Sequence, residues 1–88
     1  MARFIVVHTP NPEFTQDQLV ESAREIWSVL EPGVHWLNSW SAGEINKLFC
    51  KWEAPDAEAI RRSLAPVEHI ISTDEIHSVV QVDPNLFK

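Results

Sequence analysis

Four apolar residues in a row near the amino end, Phe4-Ile5-Val6-Val7, constrain this chain more than any other stretch. Successive side chains of a strand point to opposite faces, so this run puts apolar groups on both sides of whatever sheet it joins. The segment from Arg3 to Thr9 is rich in β-branched and aromatic residues, and Pro10-Asn11-Pro12 ends it because neither proline donates to a ladder. A strand that is apolar on two faces belongs at the centre of a sheet, with cover on each side.

The rest of the chain supplies partners in a legible order. Thr15 and Gln18 form a capping box that opens a helix, and Leu19, Ala23, Ile26, Trp27 and Leu30 follow as one apolar stripe, which places Trp27 in the core. Glu31-Pro32-Gly33 stops that helix. Two extended segments, Val34 to Trp40 and Ile45 to Glu53, flank the turn Ser41-Ala42-Gly43-Glu44 and read as a β-hairpin. The simplest register sets Trp36 opposite Phe49, Trp40 opposite Ile45 and His35 opposite Cys50, and a slip of one residue changes all three. Asp56 is the expected N-cap of a second helix with Ile60, Leu64 and Val67 on its apolar side, ended by Pro66. Ile76 to Val82 is the expected last strand, closed by Asp83-Pro84.

Strand, helix, hairpin, helix, strand is the α+β pattern of a ferredoxin-like fold, β-α-β-β-α-β, here expected as one domain over residues 1–88. Right-handed crossovers put both helices on one face of a four-stranded antiparallel sheet of order 4-1-3-2. The other face then carries either Trp36, Trp40 and Phe49 or Leu37, Leu48 and Trp52, an apolar patch of the kind that marks an interface. At 88 residues a subunit interface is also a natural supplement to a small core. A homodimer of the dimeric α/β-barrel type, with a cavity between packed sheets, is the expected assembly.

Charge narrows the function. Seven basic and 13 acidic residues leave a net charge of −6, with no basic cluster beyond Arg61-Arg62, which disfavours nucleic acid and anionic membrane surfaces as partners. Gly33 and Gly43 are the only glycines, too few for a phosphate-cradling loop, so a nucleotide enzyme is disfavoured. The apolar run at the start is far shorter than a signal-peptide core or the roughly 20 residues of a membrane span. With a single cysteine, Cys50, the expected compartment is the cytoplasm.

Several stretches resemble a known family: Arg3-Phe4-Ile5-Val6-Val7-His8-Thr9, Gly33-Val34-His35-Trp36-Leu37-Asn38-Ser39-Trp40, Lys47 to Arg61, and Val82-Asp83-Pro84. They look like the small nickel-binding ferredoxin-like proteins, long catalogued as a domain of unknown function. The most specific part is Phe49-Cys50-Lys51-Trp52-Glu53-Ala54-Pro55-Asp56 with Ala59-Ile60-Arg61 after it, and the similarity spans nearly the whole chain. The resemblance implies a ferredoxin-like homodimer and nickel, or another divalent transition metal, bound at the surface. Where relatives commonly carry a Gly-Gly-x-Pro turn after the second helix, this chain has Ala65-Pro66-Val67-Glu68-His69.

Imidazole, thiolate and carboxylate are the donors such metals take, and four histidines with 13 acids supply them. His69 and His77 with Asp74, Glu75 and the neighbouring Glu68 form the most carboxylate-rich histidine group, and His35 with Cys50 is a second candidate pair. Solvated loop residues and an inert buried thiol are the plainer readings of both. His8, at the end of the central strand, is either a core histidine bonded to backbone or an acid–base group facing a cavity. Trp36, Trp40 and Phe49 suit either an interface or the lining of a small-molecule pocket. Three functions follow: a non-catalytic metal-sequestering homodimer, a cofactor-free isomerase, cyclase or oxygenase using His8 as base, or a plain ligand-binding or interaction module.

Overall fold

The structure, a computed structural model, describes residues 2–88. Its elements are β1 (Ala2–Pro10), α1 (Gln16–Ser28), β2 (His35–Ala42), β3 (Lys47–Ala54), α2 (Ala57–Leu64) and β4 (Ile71–Val79). Short 3-10 turns lie at Gly43–Ile45, Ala65–Val67 and Pro84–Phe87. All strand pairs are antiparallel and the order is β2-β3-β1-β4, which is the expected 4-1-3-2 read from the other edge. β1 is central, as its two-sided apolar run requires.

Both helices begin where the sequence places their caps. The Gln18 amide donates to Thr15 Oγ1 (3.2 Å) and the Thr15 amide to Gln18 Oε1 (2.7 Å), so the capping box is complete. Asp56 accepts from the Ala59 amide at 2.9 Å and opens α2. α2 stops at Leu64, two residues before Pro66, and the chain continues as a 3-10 segment over Ala65–Val67. Arg62 donates twice to Glu31, at 2.9 and 3.1 Å, tying α2 to the loop after α1.

The core lies between the helices and one sheet face. Phe4 and Val6 of β1, Cys50, Trp52 and Ala54 of β3, and Ala59, Ile60 and Leu64 of α2 are buried together with Ile26, Val34 and Val67. Ile60 has no exposed surface, and burying such a side chain is worth about 1.5–3 kcal/mol. α2 is seated firmly, whereas α1 buries only Ser22 and Ile26. Trp27, expected in the core, is 63% exposed and touches Trp36 at a centroid distance of 6.2 Å. It lies at the edge of the apolar stripe, outside the cover of the sheet.

The hairpin corrects the expected pairings. β2 and β3 run in the order His35↔Glu53, Trp36↔Trp52, Asn38↔Lys51, Ser39↔Cys50 and Trp40↔Phe49, with a bulge at Leu37. His35 does not meet Cys50, Trp36 does not meet Phe49, and Trp40 does not meet Ile45. Ile45 belongs to the turn, and Asn46 follows it with φ of 51°, a left-handed conformation asparagine tolerates, so β3 starts at Lys47. The bulge also reverses the alternation. Trp36 and Ser39, which period two assigns to opposite faces, both point to the helices, while Trp40 turns to the open face with Phe49. The open face thus mixes the two expected sets: Trp40 and Phe49 of one and Leu37 of the other lie there, and Trp36, Leu48 and Trp52 lie under the helices.

The last strand, expected from Ile76, begins at Ile71. The segment Ser72-Thr73-Asp74-Glu75 has little apolar alternation and is held instead by pairing with β1, where a second irregularity between Val7 and His8 leaves Asp74 outside the ladder. Among the described residues no helix is long and apolar enough to cross a membrane.

Candidate functional site

Because α1 sits off the sheet, a cavity of about 500 Å3 separates the two. Leu19, Ala23 and Ile26 roof it, and Trp36, Leu48, Cys50 and Trp52 floor it, with His8 of β1 also in the wall. His8 is 2% exposed, and Trp36 lies parallel to Trp52 at 5.8 Å with 8° between the rings. Exposed Gln16, Val20, Ser41 and Asn46 line the mouth. The volume falls within the roughly 300–1,000 Å3 usual for small-molecule sites.

The polar groups of this cavity divide into satisfied and unsatisfied ones. Trp36 Nε1 donates to Ser39 Oγ at 2.7 Å, and Ser39 Oγ donates to Cys50 Sγ at 3.0 Å. Burial pushes the Cys50 thiol above its ordinary pKa, against the opposing pull of the Ser39 hydroxyl, so it stays protonated. His8 Nδ1 lies 3.1 Å from the Ser72 carbonyl oxygen. A carbonyl only accepts, so Nδ1 holds the proton and Nε2 keeps a lone pair. Desolvation holds the imidazole below its usual pKa, against the raising effects of the Ser72 carbonyl and the Asp74 and Glu68 carboxylates. Trp52 Nε1 is sealed within the core with no acceptor, a deficit of about 1–3 kcal/mol.

The candidate metal donors lie elsewhere and do not converge. His77 Nε2 is 3.2 Å from Glu75 Oε1, and both project from β4 onto the sheet face that no helix covers, opposite Ile5 and Val7. Asp74 is engaged by the hydroxyls of Thr9 and Ser72 and by Lys47 Nζ at 3.5 Å, with those hydroxyl bonds, first that from Thr9, holding its carboxyl below the usual range. Glu68 accepts from the Thr73 amide, and the His69 ring stands edge-on to Phe14 at 6.1 Å. His69 precedes β4 and His77 is near its far end, which at about 3.3 Å per residue separates them by roughly 20 Å. Among the described residues no three of His, Cys, Asp and Glu are grouped to hold a metal ion. One chain therefore fits a nickel ion with a pair of donors at most.

On the same open face, Trp40 is 54% exposed beside Phe49, and Leu37 at the bulge is 40% exposed. Of the three expected pocket residues, Trp36 lines the cavity under α1, while Trp40 and Phe49 do not. Ser39 is the cavity residue that sequence reasoning missed. Only the bulge brings it round, and nothing in the strict alternation of His35 to Trp40 signals that.

The chain matches the family described as nickel-responsive, SCO4226-like, over residues 4–79. Among solved structures it is similar to SCO4226 from Streptomyces coelicolor A3(2), at 30% identity and a TM-score of 0.74, with 93% of this chain and 100% of that chain covered. It shares a fold, at 15% identity and a TM-score of 0.55, with a putative antibiotic biosynthesis monooxygenase from Chloroflexus aurantiacus J-10-fl, covering 94% and 95% of the two chains. No curated protein matches the sequence.

Proposed function

We propose that this chain, which belongs to the SCO4226-like family of nickel-responsive proteins, is a small cytoplasmic homodimer that binds nickel without catalysis and keeps it sequestered. The observation that carries this reading is the His77–Glu75 pair at 3.2 Å on the open sheet face. Imidazole and carboxylate are apt donors for a divalent first-row ion, and such an ion takes more than two. A second copy packed on the same face supplies the remaining donors. The apolar patch of Trp40, Phe49 and Leu37 favours that packing, since isolated small domains seldom leave such a patch wet.

Calorimetric titration of tag-free protein with nickel, run beside sedimentation, tests the reading. Saturable binding tighter than about 100 µM, shared by two chains, is the expected result. His77→Ala should abolish it, Trp40→Ser should weaken it together with dimerisation, and His69→Ala should leave it intact. Binding that survives His77→Ala, or a monomer that binds as well as the dimer, refutes the shared site.

One observation favours a second reading, that of a cofactor-free isomerase, cyclase or oxygenase with His8 as base. A buried imidazole with a free ring nitrogen lines an aromatic cavity. Turnover that disappears in His8→Gln with ligand binding retained is its test.

A further inference from the structure

We infer that the cavity beneath α1 is a binding site for a neutral, mostly aromatic small molecule carrying a hydroxyl, which donates to His8 Nε2. The inference is independent of the nickel reading, because the cavity lies on the opposite side of the sheet from His77 and Glu75. It shares its cavity with the catalytic alternative but requires no turnover.

Three observations select the ligand class. First, none of the lining residues is Asp, Glu, Lys or Arg, so an ionic ligand has no counter-charge and loses its hydration without compensation. Second, the walls are Leu19, Ala23, Ile26 and Leu48 with two indoles, a surface that rewards a flat apolar body. Third, the polar inventory leaves one acceptor unmatched. Ser39 and Cys50 are already occupied with each other and with Trp36. His8 uses Nδ1 on the Ser72 carbonyl and retains Nε2. A hydroxyl supplies the donor that this ring nitrogen lacks.

The way α1 is held supports occupancy. α1 turns Leu19, Ala23 and Ile26 toward the sheet without closing on it, and the apolar cleft between them is open to a ligand. The exposed residues at the mouth, Gln16, Val20, Ser41 and Asn46, leave a route in that needs no strand to separate.

The test compares 2-naphthol, naphthalene and 2-naphthoate on the full chain, by calorimetry and by the indole N–H resonances of the nitrogen-15-labelled protein. Expected is saturable binding of 2-naphthol that shifts the Trp52 indole resonance, with naphthalene weaker by roughly tenfold or more and 2-naphthoate not bound. His8→Phe should lower 2-naphthol to the level of naphthalene. Ala23→Phe, which fills the cavity from the helix side, should abolish binding of both while nickel titration is unchanged. Equal affinity for 2-naphthol and naphthalene, no binding up to the solubility limit, or undiminished binding in a folded Ala23→Phe variant overturns the proposal. The ranking of the three probes and the Trp52 shift are read on the unmodified protein, so they decide the matter even if a variant fails to fold. Naphthol binding without nickel binding refutes only the metal reading.

Discussion

Acidifying the protein from about pH 7.5 to about pH 5.5 interrogates His8 directly. Burial lowers its pKa in the folded state below the ordinary 6.5, overriding the upward pull of the Ser72 carbonyl and of Asp74 and Glu68. As pH falls, the unfolded chain therefore takes up this proton before the folded one does. Stability rises with pH wherever the unfolded state holds more protons, so the contribution of His8 is complete above about pH 6.5 and is lost as pH drops from there toward the lowered folded-state value. One proton bounds the slope at about 1.4 kcal/mol per pH unit, and integration over this range gives a loss of at most about 1.4 kcal/mol. With a urea dependence near 1 kcal/mol per molar for a chain of this size, the midpoint falls by up to about 1.4 M. The assay is urea unfolding at a series of pH values and fixed protein concentration, on the natural protein and on His8→Gln, whose amide can still donate to the Ser72 carbonyl but does not titrate. The difference between the two curves isolates His8 from the other ionising groups. Identical pH dependence in both proteins refutes the claim that a neutral, desolvated imidazole is built into this wall.

Two further outcomes can be measured on the same material. Asp56→Ala removes the acceptor for the Ala59 amide and should cost about 1 kcal/mol of unfolding free energy in urea titrations, as should Thr15→Ala at the start of α1. Cys50, buried and with its thiol pKa raised, should react with a thiol reagent at pH 8 far more slowly than the unfolded chain, and sub-denaturing urea should accelerate the labelling. Prompt labelling in the absence of urea would contradict the burial.

The architecture was legible in the sequence because its signals are local. The capping box at Thr15, the cap at Asp56 and the stops at Pro32-Gly33 and Pro66 bracket the helices, and the apolar run Phe4 to Val7 identifies the middle strand. These features rest on chemistry within a few residues of each other, and the strand order follows from them. The pairing inside the hairpin was not legible. It depends on the extra residue at Leu37 and on Asn46 taking a left-handed conformation, both fixed by how β2 lies across β3. The candidate donors failed to gather for a similar reason. His69 and His77 read as neighbours along the chain, but a strand runs between them and carries them to opposite ends of the sheet. A cavity at His8 is one of the readings its position in the sequence allows, yet the space itself arises from α1 standing off the sheet, which the apolar stripe of that helix does not reveal. Trp27 shows the same gap, being apolar by pattern and exposed in place.

The supernumerary residue at Leu37 has a bearing on how this hairpin can change over generations. The two halves of β2 serve different layers: Trp36 and Ser39 furnish the chamber beneath α1, and Trp40 the naked side of the sheet. Loss of one residue there would swing one half over relative to the other, stranding an indole in water or thrusting a polar group among hydrocarbons. Lengthening or shortening of this arm should therefore be accepted in relatives only in compensated pairs, so that the count between Trp36 and Ala42 keeps its parity.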